Sequence, residues 1–472
     1  MGQIRLFLRE RRWIRNLGLL AAAGCAATAL VFAPGFMSPD SLSQYQQATG
    51  RAPLADWHPP VLSLLWRALI AVTGTFASLA VLQAAVLWGS LWVTACCVRE
   101  LTGSRPGSLA VLATGAAPHV LTFAGVVWKD VQMAYALLAT CAIALTGLCL
   151  RTVRPGTPWA AGARWTLLAL GVLFLSYAVL VRKNAVLAAV PVFVLLVLAL
   201  WPRPSRRVWL VTAAALAAGL AVPTAAISLA ARPVETSQVS QVFLDDLLHV
   251  LSADELRAAP VPPDLRERLV ASAEECRRAG ALSDAYWACY RRSPRGLAPD
   301  AEQLRSLWAE EMPRHLPGYL AYRTQVFAKL LFEPTYQYHA GISANDLGLK
   351  PSNTRLAATL ETYVNGAVRD LPLLFAGWFW LTVALVLALR PGRGLFALPV
   401  RALGISSAAY ILGYFPIVPV SDYRYVYWPA IAGTLALLLR WLERAAPPAA
   451  APGPGPARAA RSEPGGAVPD PA

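Results

Sequence analysis

Charge is what this sequence has least of. Only 15% of its 472 residues are Asp, Glu, Lys or Arg, against roughly 25% in a soluble domain, which excludes an ordinary water-soluble globule. Lysine is scarcer still, with four against 38 arginines; together with abundant Ala and Pro this points to a GC-rich bacterial genome. The seven cysteines and five histidines include no Cys-x-x-Cys pair and no His/Cys cluster at zinc-ligand spacing, which argues against a structural zinc site. No internal repeat is visible.

What is abundant is hydrocarbon. The chain is 56% hydrophobic with a mean hydropathy of +0.47. Its net charge of +15 is uneven: residues 232–370 hold 16 basic against 18 acidic groups, the rest 26 against 9. The basic excess therefore belongs to short loops and tails between apolar runs. Membrane topology places arginines there, and nucleic acid is not needed to explain them.

About 20 apolar residues cross a bilayer, and on that measure ten spans are expected: 17–36, 78–98, 107–127, 131–150, 165–181, 185–201, 208–230, 371–389, 395–418 and 425–439. An interfacial helix is expected over 61–72. Arg5, Arg9, Arg11, Arg12 and Arg15 precede the first run. Basic-then-apolar also describes a signal peptide, and Ala22-Ala23-Gly24-Cys25 faintly echoes a lipobox. The run is long enough to span and position 22 is Ala rather than Leu, so an uncleaved anchor is expected, with both termini cytoplasmic.

The expected fold is an all-α polytopic bundle. Residues 1–230 form about seven spans, with an acidic first outer loop at 37–60. Residues 231–370 form an extracytoplasmic, mostly helical domain, 371–444 about three more spans, and 445–472 a disordered cytoplasmic tail rich in Pro, Ala and Gly. In the domain, Ser252-Ala253-Asp254-Glu255 fits a capping box, and Pro299-Asp300-Ala301-Glu302 opens a run carrying Leu304, Leu307 and Trp308. Leu316, Tyr319, Leu320, Phe327, Leu330 and Leu331 follow at near-helical spacing, as in a packing or membrane-lying stripe. Cys276 and Cys289 are expected to pair on the oxidising side. The other five cysteines lie in apolar runs, as small core residues.

Ionisable groups held at a bilayer boundary are costly to desolvate and mark sites. The outer loop 39–60 carries Asp40, Tyr45, Asp56 and His58. On the same face the topology puts Lys129, Asp130, Arg182, Lys183, Asp422, Arg424 and Tyr425. Acid and base together on one face suit chemistry on an anionic lipid headgroup, a carboxylate taking a hydroxyl proton and cations holding a phosphate. Plainer readings stand beside these. Arg182 and Lys183 snorkel to headgroups; Tyr425, Tyr427 and Trp428 form an aromatic belt; Asp56 caps the interfacial helix; His119 and Glu100 are structural; His339 sits on a surface loop.

Pro39-Asp40-Ser41 with Tyr45, Asp56-Trp57-His58-Pro59-Pro60, Trp128-Lys129-Asp130 and Arg424-Tyr425 resemble, in order and placement, the GT-C membrane glycosyltransferases. The likeness is greatest to bacterial members related to protein mannosyltransferases and lipid A aminoarabinose transferases. It covers the transmembrane chain but not the large loop or the tail. The resemblance implies that Asp40 is the catalytic base or part of the acidic site and Asp130 the second acid. It implies that His58, Arg424 and Tyr425 approach a lipid phosphate. It further implies an inverting transfer from a polyprenyl-phosphate sugar to a glycan, glycolipid or protein acceptor of the cell envelope. Asp40 and Asp130 could share a divalent cation, Mg or Mn, but no third ligand is evident, and Lys129 beside Asp130 favours phosphate over metal. The rival readings are a transporter or flippase, or a non-catalytic binder, of lipid-linked envelope intermediates. Transporters concentrate ionisable groups near mid-membrane, whereas here they gather at one surface.

Overall fold

The computed structural model describes residues 2–153, 160–291, 296–333 and 335–445. The expected disordered tail lies outside the described residues but for position 445. Within the described residues the chain is helical, and its β structure amounts to four isolated bridges.

Six helices are long and apolar enough to cross a membrane: Arg11–Phe32, Ser78–Thr102, Lys129–Val153, Gly162–Val181, Lys183–Leu200 and Arg206–Ala231. The 25 residues of Lys129–Val153 reach about 37 Å at 1.5 Å per residue, enough for a hydrocarbon layer of roughly 30 Å. Where the last three spans were expected stand two shorter apolar helices, Gly377–Leu389 and Ala397–Leu412, and the final helix Tyr427–Ala445. Residues 107–127 are not one helix. Arg105–Ala113 gives way to a 3-10 turn, Thr114–Ala116, and then to the short helix Pro118–Leu121. Pro118 has no N–H to donate and holds Ala117 extended, at φ −62° and ψ 138°, so the helix stops there.

Lys129–Val153 is the axis of the bundle. Met133 to Leu138 are buried without a break, because Ser78–Thr102, Ala160–Val181, Val186–Leu200 and Tyr427–Ala445 pack around it. Arg206–Ala231 is the opposite case. It is apolar on every side, and Thr212 alone is buried among its described residues; such a helix belongs against lipid.

The bridges fix the loops at one end of this bundle. Phe36 pairs with Val126, Met37 with Ile342, Ala55 with Val234 and Thr335 with Asp422. The Phe36 amide donates to the Gly125 carbonyl at 3.0 Å and the Val127 amide to Phe36 at 2.9 Å. Gly125 makes this possible, since a Cβ there would collide with the Phe32 side chain. The loop expected to be acidic is thereby clamped between the start of the central helix and residues 341–343.

Residues 240–291 and 296–312 form a second apolar core of their own, with Leu244, Leu247, Leu265, Leu269, Leu304 and Leu307 buried and Trp57 packed against it. Cys276 and Cys289 are bonded, Cα atoms 5.0 Å apart. The capping box forms, the Glu255 amide donating to Ser252 Oγ at 3.3 Å and the Ser252 amide to Glu255 Oε2 at 2.8 Å. Of the stripe expected on the Leu316–Phe332 helix, Leu330 is buried and Tyr319, Phe327 and Leu331 pack against the two cores, and the buried face extends beyond it to Tyr322 and Arg323. Tyr322, Arg323, Val326 and Leu330 face inward, while Leu316 and Leu320 are exposed. The reason is Arg323, whose Nε lies 2.7 Å from Asp246 Oδ1, both fully buried. Its other nitrogens donate to the carbonyls of Val418 and Val242, tying this helix to the bundle and to the second core.

Candidate active site

Pro39-Asp40-Ser41 is the first turn of a helix, Pro39–Ala48, capped by Ser38 in a reciprocal box with Ser41. Ser41 Oγ donates to the Val127 carbonyl at 2.7 Å, and Trp128 Nε1 donates to Ser38 Oγ at 2.7 Å. The Asp40 carboxylate thus sits at the positive end of a short helix, next to the start of the central one. Facing it is Arg424, in the 3-10 turn Tyr423–Tyr425 that Asp422 caps by accepting from the Arg424 amide at 2.9 Å.

Arg424 is shared. One terminal nitrogen lies 3.0 Å from Asp40 Oδ2 and its Nε 2.9 Å from Asp422 Oδ2. Its guanidinium also lies over the rings of Trp128 and Tyr425, at 5.3 and 5.2 Å. Arg182 lies over the same Tyr425 ring, 5.1 Å from its centre. It pairs with Asp130 at 3.1 Å, and donates to Tyr414 Oη at 2.8 Å and Asn184 Oδ1 at 3.1 Å. Lys129 lies within electrostatic reach of Asp40, Asp130, Arg182 and Arg424, yet it makes no hydrogen bond or ion pair with any described residue.

Two imidazoles complete the cluster. His58 is buried, its Nε2 3.9 Å from Asp40 Oδ1 and its Nδ1 without a partner among the described residues. Burial and then the Lys129 charge, against the pull of Asp40, bring its pKa down to about 4, so it is neutral at pH 7. His339 is buried as well, with Nδ1 2.8 Å from the Tyr336 hydroxyl and its ring 5.7 Å from Trp128. Burial pushes the Asp40 carboxyl up, but Arg424, helped by His58 and Lys129, more than offsets it and holds it at about 2. Burial raises Asp422 to about 6, with Arg424 offsetting part of the shift.

Of the residues nominated from sequence, Asp40, His58, Lys129, Asp130, Arg182, Arg424 and Tyr425 come together. Three do not. Tyr45 packs on Trp66 and Phe76. Asp56 accepts from the Thr236 amide at 2.7 Å and from its hydroxyl, so it neither enters the cluster nor caps the next helix, whose cap is Pro59. Lys183 is exposed. The snorkelling reading therefore suits Lys183 but not Arg182. The aromatic-belt reading fails for Tyr425, Tyr427 and Trp428, all buried in the bundle, and His339 is not on an open surface. His119 is buried, its Nε2 2.9 Å from Thr434 Oγ1.

Asp40 and Asp130 do not suit a shared divalent cation, because each is neutralised by a different arginine. No group of three His, Cys, Asp or Glu comes together among the described residues.

No protein-family model and no curated protein sequence matches the chain. Among solved structures it is similar to ArnT from Cupriavidus metallidurans, both bound to undecaprenyl phosphate and in the apo state. Identity is 16% in each, over 84% of this chain and 77% and 76% of ArnT, at a TM-score of 0.35.

Sequence reasoning passed over Trp128 and Tyr414 and set His339 aside. Trp128 was quoted within Trp128-Lys129-Asp130, but its contact with Arg424 depends on a pairing across 296 positions that no local pattern encodes. Asp284 was missed altogether. It is half-buried beside Ala285 of the second core, and its ionisation responds to Arg424 and Asp40.

Proposed function

We propose that this chain is a membrane glycosyltransferase that takes a sugar from a polyprenyl phosphate and delivers it to an envelope acceptor on the extracytoplasmic face. The observation that carries the reading is Lys129, a cation with no partner among the described residues, within electrostatic reach of two arginines at one end of an apolar bundle. A lysine there is costly to desolvate unless an anion comes to it. A phosphate whose lipid tail lies along the bundle supplies that anion without leaving the bilayer boundary.

The chemistry follows from the charges. Lys129 binds the donor phosphate, and Arg182 and Arg424 stabilise the negative charge that grows on it as the sugar–oxygen bond breaks. Asp40, held ionised by Arg424, faces the positive charge that develops on the sugar ring. Neutral His58, with its free Nδ1, adds a hydrogen bond without adding charge. Attack by an acceptor hydroxyl from the face opposite the phosphate inverts the anomeric carbon.

Binding of undecaprenyl phosphate to the purified protein in nanodiscs tests the reading. A charge-assisted hydrogen bond contributes about 1.5–3 kcal/mol, so Lys129→Ala should weaken binding by roughly 10- to 100-fold. Undecaprenol, which has no phosphate, should bind weakly to both proteins. Equal affinity of the two proteins for undecaprenyl phosphate would remove the phosphate site from Lys129.

A further inference from the structure

Four carboxylates near the cluster are already engaged. Asp40 pairs with Arg424, Asp422 with Arg424 through both its side chain and its amide, Asp130 with Arg182, and Asp56 with Thr236. An acceptor hydroxyl still has to lose a proton. Asp40 is the residue that the sequence suggests for this, but Arg424 makes it a poor base.

Asp284 differs from all four. Its carboxylate makes no hydrogen bond or ion pair with the described residues, although it is partly buried. Its backbone is held in the left-handed region, at φ 63° and ψ 34°, a conformation that costs energy in a non-glycine residue and recurs at functional sites. The surroundings enforce it. The next peptide N–H, of Ala285, donates to Asp245 Oδ1 at 2.7 Å, and the Cys276–Cys289 bond closes the loop that contains it. Tyr286 and Trp287 pack on Trp57, with ring centres 5.4 and 6.0 Å apart. Trp57 immediately precedes His58, the neighbour of Asp40, so the Asp284 loop is docked on the acidic loop of the bundle.

We propose that Asp284, supplied by the second core, is the catalytic base that takes the proton of the acceptor hydroxyl. This rests on the glycosyltransferase reading and adds to it the acceptor side of the site. In the step, the acceptor oxygen forms a bond to the anomeric carbon and its proton passes to the Asp284 carboxylate. The bond from the anomeric carbon to the phosphate oxygen breaks, its electron pair leaving with polyprenyl phosphate. Asp284 then returns the proton to solvent.

Among the described residues, the charged groups that bear on Asp284 are Arg424 and Asp40; Asp245 also faces it, but burial raises that carboxyl to about 8 and keeps it largely neutral. Burial raises its pKa to about 6, Arg424 opposing and Asp40 adding to the shift. A base must be deprotonated to act, so transfer is expected to fall as pH drops through about 6.

The test uses the full chain in proteoliposomes, a panel of radiolabelled undecaprenyl-phosphate hexoses and pentoses as donors, and native membrane lipid and protein as acceptors. Asn and Gly both tolerate the left-handed backbone, so Asp284→Asn and Asp284→Gly should keep the loop. Undecaprenyl phosphate affinity within twofold of wild type checks that they do. Asp284→Asn should lower transfer by 10²- to 10⁴-fold, the usual worth of a general base, and remove the acidic limb near pH 6. Added formate should restore part of the rate to Asp284→Gly. An active wild type beside an Asp284→Asn enzyme within threefold of it overturns the assignment alone. So does an acidic limb that persists in the variant, which Asp422 would then own. A wild type that transfers no sugar of the panel overturns the glycosyltransferase reading and the assignment with it.

Discussion

Arg424 cannot give its full charge to Asp40, Asp422 and a donor phosphate at once. Its terminal nitrogen is 3.0 Å from Asp40, and a bound phosphate would compete for it. Asp40→Asn should therefore leave undecaprenyl phosphate affinity equal to wild type or tighter, since it frees Arg424. The same change should lower sugar transfer by about 10²- to 10³-fold, the loss typical of one removed electrostatic contact to developing charge. Parallel binding and turnover measurements check this, and a fall in donor affinity would make Asp40 a positioning residue for Arg424. The residues of this half of the site were legible in the sequence because each stands out against hydrocarbon: a charge at the end of an apolar run has few innocent explanations. Their roles were less legible. Nothing in Arg424-Tyr425 announces that Asp40, 384 positions earlier, already holds the arginine.

At the scale of elements, the second core is joined to the bundle partly through Arg323. Its helix, Leu316–Phe332, offers an apolar stripe in sequence of which Leu330 is buried and Tyr319, Phe327 and Leu331 pack on the cores, while Leu316 and Leu320 are exposed. The buried Arg323–Asp246 pair decides the rotation of the helix. Trp308 Nε1 also donates to Asp246 at 2.7 Å, so that carboxylate is fully committed. Arg323→Ala should destabilise the protein by about 3–5 kcal/mol, because it strands a buried charge. Thermal unfolding in detergent checks this; a variant as stable as wild type would mean that the pair contributes nothing net. Capping signals such as Ser252 to Glu255 were readable because all their partners lie within one turn. The break at 114–118 was readable in principle from Gly115 and Pro118, but an apolar window of 21 residues averaged it away.

Across the whole molecule, the positive-inside reading of the sequence expects the second core and the cluster on the extracytoplasmic side. With the five cysteines outside the disulfide, Cys25, Cys96, Cys97, Cys141 and Cys149, replaced by serine or alanine and the disulfide kept, single cysteines can be installed at Ser252 and Ser462. An impermeant thiol reagent should label only position 252 in intact cells, and labelling of 462 alone would invert the topology. The overall class was legible from composition because hydropathy is a property of the whole chain. The docking of Asp284 on the acidic loop was not, because it depends on how a 13-residue disulfide loop meets Trp57. The central claim is that this chain moves sugar off a lipid phosphate, and turnover tests it most directly. Purified protein in proteoliposomes, given each labelled undecaprenyl-phosphate sugar with native membrane acceptors, should release undecaprenyl phosphate and label the acceptor with at least one donor. Lys129→Ala should be strongly impaired with that donor. Release of no undecaprenyl phosphate from any donor, by protein that still binds undecaprenyl phosphate, would contradict the account and leave a lipid-phosphate binder in its place.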